Sequence, residues 1–180
     1  VRENISLGLN ADGAAVAAAA KAAYLEPDLS RLAGGLDFDV GPDGELYVAG
    51  SNLGQSGHVV AKSINVNTGG LPAWVFVKSL YLGGTTAFAS GPNPGGMLGQ
   101  AWVATDHSTG ATRGNVYILS SVNPAGTDPL DVMFVRSADG GSTFTAPIRV
   151  NDDPSRVNAY QWFGTMSVAP NGRIDVIYYD

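Results

Sequence analysis

The densest group of chemically useful side chains lies in one octapeptide, Ser137-Ala-Asp139-Gly140-Gly141-Ser142-Thr143-Phe144. A carboxylate placed two residues after a hydroxyl and just ahead of two glycines suits the accepting of hydrogen bonds from turn N–H groups. Gly140 and Gly141 supply positive φ, and Phe144 buries its ring beneath the next strand. This chemistry holds a hairpin together, so Asp139 reads as a structural carboxylate and not as an acid catalyst. Lys62-Ser-Ile-Asn-Val-Asn-Thr-Gly-Gly70, ahead of Trp74, is a degenerate echo in which Ser63 and Asn65 take the first two polar positions and an insertion displaces the register.

Other candidates are sparser. The glutamates are Glu3, Glu26 and Glu45, and the arginines are Arg2, Arg31, Arg113, Arg136, Arg149, Arg156 and Arg173. No tyrosine and glutamate sit at a spacing that makes a nucleophile and its base, and no serine, histidine and aspartate order or phosphate loop stands out. Aromatics that present an apolar face with a polar handle stack on sugar rings. Trp102, Tyr160, Trp162, Tyr178 and Tyr179 are the candidates, with blade packing as the competing role. Asn151-Asp-Asp153 and Asp106-His107 offer oxygen ligands of the kind calcium prefers, without the spacing of a calcium loop, so Asx-turn capping is the stronger expectation. His58 and His107 are too isolated for a zinc site. No cofactor is expected.

These residues must be positioned by strands. The chain has 24 glycines, 10 prolines and 14% charged residues, with short runs of Val, Ile, Tyr and Phe between turn formers. Leu36 to Val40, the turn Gly41-Pro-Asp-Gly44, and Glu45 to Gly50 make a strand, a turn and a second strand. Thr165 to Val168, Ala169-Pro-Asn-Gly172, and Arg173 to Tyr179 repeat it with Val40 and Val168 128 residues apart. Between them, Ala101 to Thr105, a longer turn over Asp106 to Gly114, and Asn115 to Leu119 form a third copy. Two further strands are expected after the first unit (Gly57 to Ser63, Trp74 to Lys78) and after the second (Asp131 to Ser137, Phe144 to Val150). Repeated short-stranded units of this length are the mark of propeller blades. The fold expected is all-β, a partial β-propeller of about two and a half four-stranded antiparallel blades over residues 36–180. Residues 1–35 form a separate segment, in which Ala14 to Leu25 reads equally as a short helix ended by Pro27 or as a small-residue strand.

The net charge of −6 and a pI near 4.7 exclude a nucleic-acid partner, which needs a clustered basic surface. No apolar run reaches the roughly 18 residues of a membrane span. The absence of cysteine leaves no disulfide framework or thiolate site. The start at Val1 implies upstream processing or a longer protein.

The octapeptide resembles the Asp box, Ser-x-Asp-x-Gly-x-Thr-Trp/Phe, of the sialidase superfamily, also called the bacterial neuraminidase repeat. Ser137, Asp139, Gly141 and Thr143 match its defining positions, with Phe144 for the usual Trp. The resemblance covers residues 36–180 and implies a secreted or cell-surface protein of bacterial type whose partner is a glycan or glycoconjugate. It also implies that Asp boxes lie on turns away from the substrate pocket. If active, such a chain is an exo-glycosidase, with three arginines binding the substrate carboxylate and a tyrosine/glutamate pair as nucleophile. The Arg-Ile-Pro motif that carries the first arginine is missing, so the catalytic set is expected to be incomplete. The alternatives are a non-catalytic propeller that binds carbohydrate or protein, and an assembly subunit whose open blade edges pair with other copies or another chain.

Overall fold

The computed structural model describes residues 37–52, 54, 56–65, 73–86, 99–154 and 157–180. The expectations for residues 1–35, and those for Arg2, Arg31, Arg156, Glu3 and Glu26, lie outside the described residues. Within them the chain is all-β and its strand ladders are antiparallel.

The first sheet is a meander of β1 (Asp37–Val40), β2 (Leu46–Ser51), β3 (His58–Ser63) and β4 (Trp74–Leu80). The second contains β5 (Gly84–Thr86), β6 (Trp102–Thr105), β7 (Val116–Pro124), β8 (Asp131–Ser137) and β9 (Ile148–Arg149). A hairpin of β10 (Trp162–Val168) and β11 (Ile174–Tyr179) completes the described chain.

Three turns join the first two strands of each unit, and all three close in the same way. Gly41 N–H donates to Glu45 O and Gly44 N–H to Gly41 O. Ala169 N–H donates to Arg173 O and Gly172 N–H to Ala169 O. In the longer middle loop the pair becomes Asp106 N–H to Asn115 O and Gly114 N–H to Asp106 O, so extra residues loop out without disturbing the closure. Each turn ends in a glycine with positive φ, at 89° for Gly44, 78° for Gly114 and 84° for Gly172, a conformation a side chain resists.

Two departures from expectation have plain causes. The strand expected over Phe144 to Val150 shrinks to β9 because Pro147 has no N–H to give the ladder; only Met133–Arg149 and Phe134–Ile148 pair. β5 was not anticipated. β7 is nine residues long and β6 covers only Val116 to Leu119, so the backbone of Val122 to Pro124 pairs with β5.

The sheets stack. β7 alternates Val116 and Ile118 toward the first sheet with Tyr117 and Leu119 toward the hairpin, which is why it is buried on both faces. Tyr47, Ala49 and Val60 meet Val103 and Val135 in the first interface. Met166, Val168, Val176 and Tyr178 meet Tyr117 and Val132 in the second. The opening strands are neighbours too, with β6 touching both β1 and β10.

Candidate functional site

The Ser137–Phe144 loop joins β8 to β9 and is closed by its own polar atoms. Ser137 Oγ donates to Asp139 Oδ1 at 2.7 Å and accepts from Gly141 N at 2.8 Å. Asp139 accepts from Thr143 N at 2.8 Å and Thr143 Oγ1 at 2.6 Å. These donors, led by the Thr143 hydroxyl, hold the Asp139 carboxyl well below the usual carboxylate range, so it stays ionised and has no proton to give. The loop also locks the first interface. Tyr47 Oη and Lys62 Nζ donate to Gly140 O at 3.2 and 3.3 Å, Lys78 Nζ donates to Ser142 O, and a Cβ on Gly141 would lie 3.0 Å from the Phe76 ring. The echo keeps half of this pattern: Ser63 Oγ donates to Asn65 Oδ1 at 2.9 Å, which also accepts from Ala73 N at 2.6 Å. Because Ser137 is fully buried, Ser137→Ala leaves the Gly141 N–H without its acceptor and lowers stability by about 1–3 kcal/mol, measurable by urea titration.

The candidate sugar-stacking aromatics divide. Trp102 and Tyr178 pack half-buried into the interface between the second sheet and the hairpin, and Tyr160 packs on Leu130. Trp162 and Tyr179 pair across β10 and β11 with ring centroids 5.2 Å apart, and Phe163 lies 4.6 Å from Trp162. Phe163 adopts φ 50° at a register shift, and a Cβ on the following Gly164 would be crowded, at 3.1 Å from Leu119 Cδ2. Burial, then Asp180, Asp152 and Asp153, push the Tyr178 phenol up, the opposite of what a nucleophile requires.

The described arginines do not converge. Arg113 reaches Pro42 O and Asp43, Arg149 lies 3.6 Å from Asp131 and 3.5 Å from Asp153, Arg173 pairs with Asp175, and Arg136 is exposed. Glu45 pairs with Lys62 at 3.5 Å. The two candidate oxygen clusters are engaged internally. Asp106 Oδ1 accepts from Ser108 N at 2.7 Å in an Asx turn, and although burial opposes its ionisation, the Ser108 and Thr112 donors keep its carboxyl below the usual range. Asn151 donates to Asp131 at 2.8 Å and to Gln161 at 3.2 Å while its own carbonyl takes Val132 N at 2.9 Å. Among the described residues no group of three His, Cys, Asp or Glu is arranged to hold a metal ion.

A cleft of about 640 Å³ opens where the β2–β3 connection, the end of β4 and the end of β7 meet. These strand ends are opposite those that carry the three equivalent turns and the Ser137–Phe144 loop. Among the described residues its lining has no charged side chain: Asn52, Ser56, Thr85 and Asn123 offer amides and hydroxyls, Tyr81 stands exposed at the rim, and His58 lies buried at the wall. His58 Nε2 is 3.0 Å from Ser120 Oγ, which is itself 3.0 Å from Gly99 O. A carbonyl accepts only, so the Ser120 proton goes there and His58 Nε2–H must be the donor. Nδ1 is then an unprotonated acceptor, and it has no hydrogen-bond partner among the described residues. Burial pushes the imidazole down to about 4, which keeps it neutral at ordinary pH. Ser120 is fully buried with its proton committed to a carbonyl, so the pair is no nucleophile and base. Sequence reasoning missed this place because Ser120 is 62 residues from His58; the one local signal was a histidine opening a strand directly after Gly57.

No protein-family model matches the chain, and no curated protein does. Among solved structures it is similar to the Hadza microbial sialidase Hz136, at 17% identity and a TM-score of 0.43, over 73% of this chain. The chain spans 28% of that protein's length. No helix among the described residues is long and apolar enough to cross a membrane.

Proposed function

We propose that the chain is a section of a secreted, bacterial-type, sialidase-like β-propeller carrying a structural Asp box, and that it recognises a neutral, hydroxyl-rich glycan at the His58 cleft instead of hydrolysing one. The observation that carries this reading is the lining of the cleft, uncharged among the described residues, in which amides and hydroxyls stand beside the exposed Tyr81 ring. The Asn123 amide and the Thr85 hydroxyl pair with sugar hydroxyls, Tyr81 offers a ring face, and the buried His58 shapes the wall behind them. An anionic sugar would instead need convergent arginines, and those described are occupied by Asp43, Asp131, Asp153 and Asp175 or point to solvent. The propeller reading draws on the three turns closed by one hydrogen-bond pattern and on the adjacency of β1, β6 and β10.

The test is calorimetric titration with neutral oligosaccharides and with sialyllactose, alongside hydrolysis of a fluorogenic sialoside. A neutral sugar should bind, and Tyr81→Ala and Asn123→Ala, both at exposed positions, should each weaken it roughly three- to tenfold. Preference for the sialoside, or its turnover above the uncatalysed rate, would favour the exo-glycosidase reading. No binding by any neutral sugar sinks the proposal.

A further inference from the structure

The two walls of the cleft belong to different sheets. The connection from Asn52 to Gly57 and the end of β4 belong to the first, and Gly84, Thr85 and the end of β7 belong to the second. Deeper in the interface, Tyr47, Ala49 and Val60 meet Val103 and Val135, and such apolar contact is non-directional. It holds the sheets together without fixing where a turn beside it stands. Keeping two walls in place for one ligand takes directional bonds between them.

Thr86 supplies such bonds. It ends β5 opposite Val122, which packs in the core against the first sheet, and it is itself 6% exposed. Directly opposed residues of an antiparallel pair project from the same face, so the Thr86 hydroxyl also reaches the first sheet. It donates to Gly57 O at 3.0 Å and accepts from Ser51 Oγ at 3.3 Å. A carbonyl has two lone pairs, and Gly57 O also accepts from Asn52 N at 3.0 Å, which closes the connection. Within it Asn52 Oδ1 accepts from Ser56 N at 2.9 Å and Asn52 Nδ2 donates to Ser56 Oγ at 3.1 Å. This rim is one hydrogen-bonded unit, tied to the second sheet at Gly57. The other end of the tie is fixed as well: Gly84, Thr85 and Thr86 all pair with β7, and a Cβ at Gly84 would strike the Asn123 carbonyl.

We infer that Thr86 is a positioning residue of the cleft, whose hydroxyl pins the Asn52–Gly57 rim to β5 and so sets the distance between the walls that a ligand must bridge. Thr86 is buried behind the lining and touches no ligand itself. The affinity arm of its test rests on the glycan reading of this cleft and the exchange arm does not, so the two fail separately.

Thr86→Val keeps the branched shape and removes the hydroxyl, and Thr86→Ser keeps the hydroxyl. Without ligand, the backbone amides of Asn52 and Ser56 should exchange hydrogen roughly three- to tenfold faster in Thr86→Val than in the unaltered chain and recover in Thr86→Ser, while those of Val116 to Leu119 keep their protection in both. In calorimetric titration with lactose as the probe, Thr86→Val should bind roughly three- to tenfold more weakly and Thr86→Ser close to the unaltered chain. The unaltered chain gives a reading that does not depend on either variant folding: its Asn52 and Ser56 amides should be protected well above the rate of an unstructured peptide. Free exchange at those two amides in the unaltered chain, native rates in Thr86→Val, or an equal loss of lactose affinity in both variants overturns the proposal. Absence of lactose binding by the unaltered chain counts against the glycan reading alone, and the exchange comparison then decides whether Thr86 pins the rim.

Discussion

Leu119→Ala lowers the unfolding free energy by about 2–5 kcal/mol, because it removes a fully buried side chain from a site that cannot collapse around the gap. The site is held open from both sides. β7 is fixed by β6 and β8, and the hairpin already approaches so closely that a Cβ on Gly164 would press on Leu119 at 3.1 Å and on Val132 at 3.2 Å. Leu119 is the fifth residue after the turn glycine Gly114, and Ile177 is the fifth after Gly172. The equivalent change one unit later, Ile177→Ala, costs within about 0.5 kcal/mol, since that side chain faces water. Urea titration followed by tryptophan fluorescence separates the two. Trp102 sits in the Leu119 interface and Trp162 packs against Leu130 and Tyr179, so both report release of the hairpin, and a hairpin released before the sheets unfold gives two fluorescence transitions. Equal costs for the two variants would show that the shared register does not set burial.

The same register explains what could be read in advance. The strand and turn units were legible because proline, asparagine, aspartate and glycine punctuate them, and the three turns indeed close by one pattern of bonds. The ends of the outer strands were less legible, because a proline such as Pro147 interrupts pairing without altering the apolar pattern around it. The aromatics show a signal present but unused. Tyr178 falls on the parity of Ile174 and Val176 and so packs inward, while Tyr179 falls on the parity of Ile177 and stays exposed. The His58 cleft had no comparable signal. It is assembled from the connection before β3, the segment after β4 and the segment after β7, which only the stacking of two sheets brings together.

Between pH 6.5 and pH 4 the His58 side chain lowers the stability of the chain. In the unfolded chain this histidine titrates near 6.5, and in the folded chain burial holds it down to about 4. The unfolded state therefore binds the proton first, and unfolding becomes easier as the pH falls through this window. Above pH 6.5 both states are neutral and the term vanishes; below pH 4 both are protonated and the full cost is present. At 1.36 kcal/mol per pH unit the interval amounts to about 3 kcal/mol. Carboxylates titrate over part of the same range, so the quantity to measure is the difference in unfolding free energy between the native chain and His58→Gln, taken by urea titration at several pH values. That difference should change by about 3 kcal/mol across the window. A flat difference curve would mean that the His58 ring reaches water in the folded chain and that burial does not set its protonation.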